Sequence, residues 1–134
     1  MLGLDTNVLL RLADDDEPEQ KARAGALVRV LGQGGAFINP IVLGEFAWTL
    51  AKRYKLTREA VATRVAIVLD APEFVVANSV EASRALERYR AGPADFADYV
   101  LAEINRAAGC ASTATFDLAA LKSGDPFSPI PALS

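Results

Sequence analysis

Short apolar runs and longer helical stripes alternate along this chain. Four short runs predict buried strands over residues 1–4, 36–39, 73–77 and 110–116. Each run is followed by a segment with apolar residues at helical spacing, and these segments are long enough for the crossovers that parallel strands need. The pattern therefore predicts an α/β fold in which helices flank a central, mostly parallel sheet.

The helical stripes are separated by proline, glycine and capping residues. They predict helices over residues 20–31, 40–50, 57–71, 79–90 and 94–102, with short helices starting after Asp5 and Asp117. The 134 residues fit one domain built around a single core. We therefore expect a single domain spanning residues 1–134.

Composition removes several classes of chemistry. The chain has no histidine and one cysteine, Cys110, which we expect to be a small core residue. These counts exclude histidine bases, serine–histidine and cysteine–histidine nucleophiles, intrachain disulfides and histidine-bound zinc. No apolar run approaches the ~20 residues that cross a bilayer, and the N-terminus lacks the pattern of a secretory signal. A cytoplasmic location without membrane contact is the expectation.

Isolated carboxylates recur where predicted strands end and helices begin. Asp5 and Asp117 both occupy such positions, and ligands of open α/β sheets bind at that edge. Asp95 and Asp98 lie three residues apart at the start of a predicted helix, so they share one face. Capping of the helix N-terminus accounts for Asp95 but less well for Asp98, which is further into the helix.

Glu45 is the only charged residue between Arg29 and Lys52. The predicted helix around it is rich in apolar residues, including Trp48, which we expect in the core. A carboxylate buried there costs several kcal/mol unless something compensates it. A bound metal or an open crevice would do so, and a salt bridge to a distant arginine is the structural alternative.

These carboxylates can converge on one edge of the sheet. Two of them about 4 Å apart repel by roughly 4 kcal/mol at an effective dielectric constant near 20, and Mg²⁺ or Mn²⁺ would offset that repulsion. Without histidine, the chemistry that fits best is metal-assisted attack of water on a phosphodiester, with one or two ions. Thr6, Asn7 and Thr115 are candidates to hydrogen-bond a water or a ligating carboxylate.

Basic residues follow the helix that carries Glu45. Lys52, Arg53 and Lys55 are candidates to contact an RNA backbone, although charge runs are usually solvated faces. The net charge of −3 does not by itself indicate a nucleic-acid binder.

Four motifs together resemble a PIN domain, specifically a VapC-like toxin ribonuclease. They are DTNVLLR at Asp5, PIVLGEFAW around Glu45, DFADYVLAEINR at Asp95 and Asp98, and TFD at Asp117. The resemblance implies a PIN-like three-layer α/β/α sandwich and a Mg²⁺- or Mn²⁺-dependent endoribonuclease acting on RNA. It also implies a homodimer and inhibition by a small cognate antitoxin protein.

The resemblance also implies roles for the acids. Metal binding falls to Asp5 and Asp98, and Glu45 and Asp117 complete the catalytic acidic site. Asp95 is a further catalytic candidate, because the D-x-x-D spacing leaves open which carboxylate points at the ion.

An α/β binding or signalling module with an acidic metal pocket and no nuclease activity is the alternative. A receiver domain needs adjacent acids after its first strand and a lysine late in the sheet, whereas this chain has DTN there and only Lys122 late. An aspartyl phosphatase needs a second aspartate where Asn7 stands.

Overall fold

Three short parallel strands form the central sheet. β1 (Leu2–Gly3), β2 (Ala36–Ile38) and β3 (Phe74–Val76) are hydrogen-bonded in that order. Both pairings are parallel, with Leu2 opposite Ala36 and Ala36 opposite Phe74. Ala36 and Ile38 are fully buried, as expected for a strand in the middle of a sheet. The predicted parallel sheet is confirmed in these strands.

The structure is a computed structural model, and it describes residues 1–13 and 34–130 together with residues 19, 22, 23, 25, 26 and 29. The helix predicted over residues 20–31 lies largely outside the described residues.

The fourth predicted strand belongs to a second small sheet. β4 (Thr113–Ala114) pairs in parallel with β5 (Phe127–Ser128), and Thr113 lies opposite Phe127. β5 falls in the proline-containing C-terminal segment, for which the sequence predicted no definite element. Among the described strands, β4 is thus bonded to β5 and not to the three-stranded sheet.

Six helices that the structure describes connect and cover these strands. They are α1 (Thr6–Ala13), α2 (Pro40–Lys52), α3 (Arg58–Asp70), α4 (Ser79–Ala91), α5 (Phe96–Ala107) and α6 (Leu118–Ser123). The side chain of Asn39 caps α2 by accepting a hydrogen bond from the Val42 N–H, and that of Thr57 caps α3 through the Ala60 N–H. Pro40 suits the first turn of α2 because it has no N–H to leave unpaired.

The core lies where α5 packs against α2 and α4. Phe46 of α2 and Phe96 and Tyr99 of α5 are among the largest fully buried side chains. A Cβ at Gly44 of α2 would lie 3.2 Å from the Ala97 Cβ of α5, so glycine allows the two helices to approach closely. This approach sets Glu45 of α2 across from the first turn of α5.

A buried ion pair joins α4 to α5 on another side of α5. Glu103 is 2% exposed, and its Oε1 accepts a hydrogen bond of 2.7 Å from Nε of Arg88. Arg88 also donates from Nη1 to the Asp125 carbonyl oxygen at 3.1 Å, which ties in the chain before β5.

None of the helices described here is both long enough and apolar enough to cross a membrane.

Candidate functional site

Asp5 lies between β1 and α1, at the carboxyl end of the strand. Its Oδ1 accepts a hydrogen bond of 2.7 Å from the Thr6 N–H, and its carbonyl oxygen accepts from the N–H groups of Val8 and Leu9. The side chain is exposed. Asp5 therefore begins the helix, as the sequence predicted, while its carboxylate remains open to solvent. Asn7 is exposed in the first turn of the same helix.

A hydrogen bond links the first turn of α1 to α2. The hydroxyl of Thr6, a residue 7% exposed, donates to Oε2 of Glu45 at 2.8 Å. One oxygen of the Glu45 carboxylate is thereby held by the residue that follows Asp5. The position agrees with the prediction that Thr6 hydrogen-bonds a carboxylate of the site.

Glu45 is exposed, so the premise that it is buried among apolar side chains is wrong. The exposed residues of α2 are Ile41, Glu45, Trp48 and Lys52, which recur at spacings of four, three and four residues and form one stripe. The apolar residues around Glu45 in the sequence point to the opposite, core side. Trp48 is 49% exposed for the same reason, and the prediction that it belongs to the core is also wrong.

Asp98, in the first turn of α5, lies near two other carboxylates. Partial burial raises the pKa of the Asp98 carboxyl, and the charges of Asp117 and then Asp95 raise it further, while a hydrogen bond from the Asp95 backbone lowers it in part. The three acids thus share one electrostatic environment, in which a cation would be stabilised.

Asp95 does not cap α5 through its side chain, although it occupies the N-cap position. Its Oδ1 lies 3.8 Å from Nζ of Lys52 at the end of α2, and both side chains are about half exposed. The structural alternative, in which Asp95 caps the helix through its side chain, is therefore wrong, and that side chain lies near a lysine instead. Asp98 is partly buried near Asp117, whereas Asp95 faces a lysine.

Asp117 connects β4 to α6. Its Oδ1 accepts a hydrogen bond of 3.0 Å from the Ala120 N–H, and its own N–H donates to the Thr115 hydroxyl at 3.0 Å. Thr115 thus fixes the backbone that presents this acid. Asp117 is exposed between two exposed apolar residues, Phe116 at 84% and Leu118 at 74%.

Glu45 is hydrogen-bonded to the residue that follows Asp5, and the charges of Asp117 and Asp95 act on Asp98. Within the described ranges, no three Asp, Glu or Cys side chains stand close enough to hold a metal ion together. Mg²⁺ is commonly bound through one or two carboxylates and keeps several waters, so the candidate acids supply the oxygen ligands that such an ion takes. Cys110 is exposed, which contradicts its predicted place in the core.

The predicted basic contacts lie beside this site. Lys52, Arg53 and Lys55 are all exposed, and Lys52 reaches the acids through Asp95.

A groove of about 500 Å³ runs between α2 and α5, and the sequence analysis did not anticipate it. Glu45 and Trp48 line one wall, and Ala97, Leu101 and Asn105 line the other. The signal for it is the spacing of Glu45, Trp48 and Lys52, which places all three on one helix face.

Comparison with known protein families identifies a match over most of the chain. A sequence model described as PIN domain matches residues 3–122, which include all five candidate acids. The match confirms the predicted PIN-like α/β fold with a parallel sheet. A search of curated proteins found no match to the chain.

Proposed function

This chain belongs to the PIN domain family, and we propose that it is the endoribonuclease toxin of a toxin–antitoxin pair, similar to VapC. PIN domains are in general nucleases that use divalent metal ions, and PIN nucleases act on RNA. The proposal adds the toxin role, the Mg²⁺ or Mn²⁺ dependence and the residues that carry the reaction.

The environment of Asp98 is the observation that supports this function most strongly. Its carboxyl has a raised pKa because it is partly buried next to Asp117 and Asp95. Such an arrangement costs stability in the absence of a cation, and groups perturbed in this way are concentrated at functional sites.

In the proposed mechanism, Asp5 and Asp98 hold the metal, and Glu45 and Asp117 complete the acidic site. A bound Mg²⁺ or Mn²⁺ supplies an activated water at neutral pH and stabilises charge on the phosphate. The hydroxyl of Thr6 orients Glu45 at 2.8 Å. Asp95 remains a further catalytic candidate, with its Oδ1 3.8 Å from Nζ of Lys52.

Basic side chains beside the acids would bind the RNA backbone. Lys52, Arg53 and Lys55 are exposed at the end of α2, where they can neutralise phosphates that flank the cut. They would offset the repulsion between the RNA and the acidic site.

Protein partners form part of the same proposal. Exposed apolar side chains on either side of Asp117, Phe116 and Leu118, are typical of surfaces that another protein covers. We assign them to a cognate antitoxin and to a homodimer, and we place the protein, as a single domain, in the cytoplasm.

Substitution of Asp5 tests the nuclease function. Purified protein free of antitoxin should cleave members of a panel of structured and single-stranded RNAs in Mg²⁺ or Mn²⁺ and not in EDTA. Asp5→Asn should lower cleavage at least about a hundredfold, because it removes a metal-binding charge with little change in size. Asp70→Asn, which changes an exposed aspartate at the end of α3, is the matched control and should cleave normally.

Cleavage retained by folded Asp5→Asn protein would refute the assignment of the site. If the folded wild-type protein cut no RNA with either metal, the α/β binding module without nuclease activity would become the better assignment.

A further inference from the structure

We propose that Trp48 stacks on an unpaired base of the RNA substrate, next to the phosphate that is cleaved. The inference rests on the proposed ribonuclease function and adds a requirement on the substrate, namely a single-stranded nucleotide beside the cut.

Trp48 lies between two charged residues on one face of α2. Glu45, Trp48 and Lys52 belong to its exposed stripe, and the helix rise places Trp48 about 4.5 Å along the axis from Glu45 and about 6 Å from Lys52. An acid of the candidate site, a flat aromatic surface and a cation therefore follow one another. A nucleotide presents groups in a matching order, with a phosphate at the acidic site, a base, and the next phosphate.

The groove next to Trp48 suits a base. Its walls are largely apolar, formed by Trp48 on α2 and by Ala97 and Leu101 on α5, with Asn105 among the lining residues. A base has two apolar faces and a polar edge, and stacking on an aromatic side chain tolerates any base. The volume of about 500 Å³ lies within the range of small-molecule sites.

The charges on the stripe favour a nucleotide over an apolar protein helix as the occupant. A helix seated on Trp48 would also cover Glu45 and Lys52, and burying charges without partners is costly. A nucleotide leaves Glu45 free for the metal and gives Lys52 a phosphate as partner, which replaces its half-exposed contact with Asp95. The base must be unpaired, because the faces of a paired base are covered by its neighbours in the duplex.

Fluorescence of Trp48 provides a direct test, because it is the only tryptophan of the chain. Titration in EDTA, where cleavage is prevented, should quench this fluorescence with a single-stranded oligoribonucleotide. An oligonucleotide of the same length with abasic sites, and the same RNA as a duplex, should quench it far less.

Three variants distinguish base stacking on Trp48 from the effect of removing any exposed apolar side chain. Trp48→Leu should weaken binding of a labelled single strand roughly 5- to 100-fold, the range for loss of one base stack, and should lower cleavage in Mn²⁺. Trp48→Phe keeps an aromatic face and should retain much of the RNA binding and much of the cleavage. Ile67→Ala removes an exposed apolar side chain of α3 that does not line the groove, and should leave both unchanged.

Equal binding by wild type and Trp48→Leu would overturn the proposal, as would equal quenching by abasic and normal strands. Quenching that depends on the concentration of this protein and not on RNA would assign the groove to a second copy of the chain instead. Since the binding titration needs no cleavage, a wild-type protein that binds RNA through Trp48 but never cleaves it would refute the nuclease function and leave the stacking intact.

Discussion

Helix α5 carries two acids, five residues apart, in opposite environments. Glu103 is 2% exposed, and its carboxylate accepts a hydrogen bond of 2.7 Å from Arg88. Asp98 is partly buried in the first turn, close enough to Asp117 and Asp95 for their charges to raise its pKa. One acid lies next to a cation of the same chain and the other lies next to further acids.

The difference separates a structural carboxylate from a candidate functional one. A buried acid paired with arginine connects α5 to α4, and its loss would leave Arg88 without that partner. An acid placed near other acids lowers stability, and a site that binds a cation gives a reason for keeping it. Glu45 is also a candidate functional acid, because it is exposed and its carboxylate is oriented by the Thr6 hydroxyl.

The same substitution at the two glutamates should have opposite consequences. Glu103→Gln should lower the free energy of unfolding by about 2 kcal/mol, less than for a fully buried pair because the Arg88 side chain is 34% exposed, and should spare cleavage. Glu45→Gln should change stability by less than about 0.5 kcal/mol and lower cleavage about a hundredfold. Urea unfolding and RNA cleavage in Mn²⁺ measure both effects. A Glu103→Gln protein that is as stable as wild type but does not cleave RNA would contradict the assignment of Glu103 as the structural acid.

Loss of the Thr6 hydroxyl should have a smaller effect, confined to activity. Thr6→Val keeps the shape of the 7% exposed side chain but removes the donor to Glu45, so cleavage should fall about tenfold, as is typical for groups that orient metal ligands. Thr6→Ser restores the hydroxyl and should recover most of the activity. If Thr6→Val and Thr6→Ser cleaved RNA at the same rate, the hydrogen bond from Thr6 would have no role in positioning Glu45.

The sequence predicted the order of elements because periodicity and caps are local signals. Residues 36–38 and 74–76 form strands where predicted, and Thr57 caps α3. The pairing of β4 with β5 was missed because two-residue strands leave no alternation pattern in the sequence.

Burial of individual residues in the site was harder to predict. Glu45 and Trp48 have apolar neighbours in the sequence, yet both lie on the exposed stripe of α2, since which face of an apolar helix stays open depends on tertiary packing. The buried salt bridge considered for Glu45 exists instead at Glu103, whose burial depends on the packing of α5 against α4 and on the contact with Arg88, 15 residues earlier in the chain. The side chain of Asp95 does not cap α5 and lies 3.8 Å from Lys52, a contact that local sequence does not reveal.

The smallest expected effect is on the stability of the metal-free protein. The pKa of Asp98 is raised on folding, so the folded chain holds this proton more tightly than the unfolded chain does. Its stabilising contribution is complete below the unfolded pKa of about 3.9 and is lost as pH rises through the higher folded value. In EDTA, Asp98→Asn should therefore match wild type near pH 3 and be more stable at pH 7, by less than about 1 kcal/mol because solvent screens the partly exposed group.

Urea unfolding of wild type and Asp98→Asn at the two pH values measures this difference. Adding Mn²⁺ at pH 7 should stabilise wild type and not Asp98→Asn, which would reverse their order. An Asp98→Asn protein less stable than wild type in EDTA at pH 7 would mean that Asp98, like Glu103, is held by compensating contacts, and the contrast between the two acids of α5 would disappear.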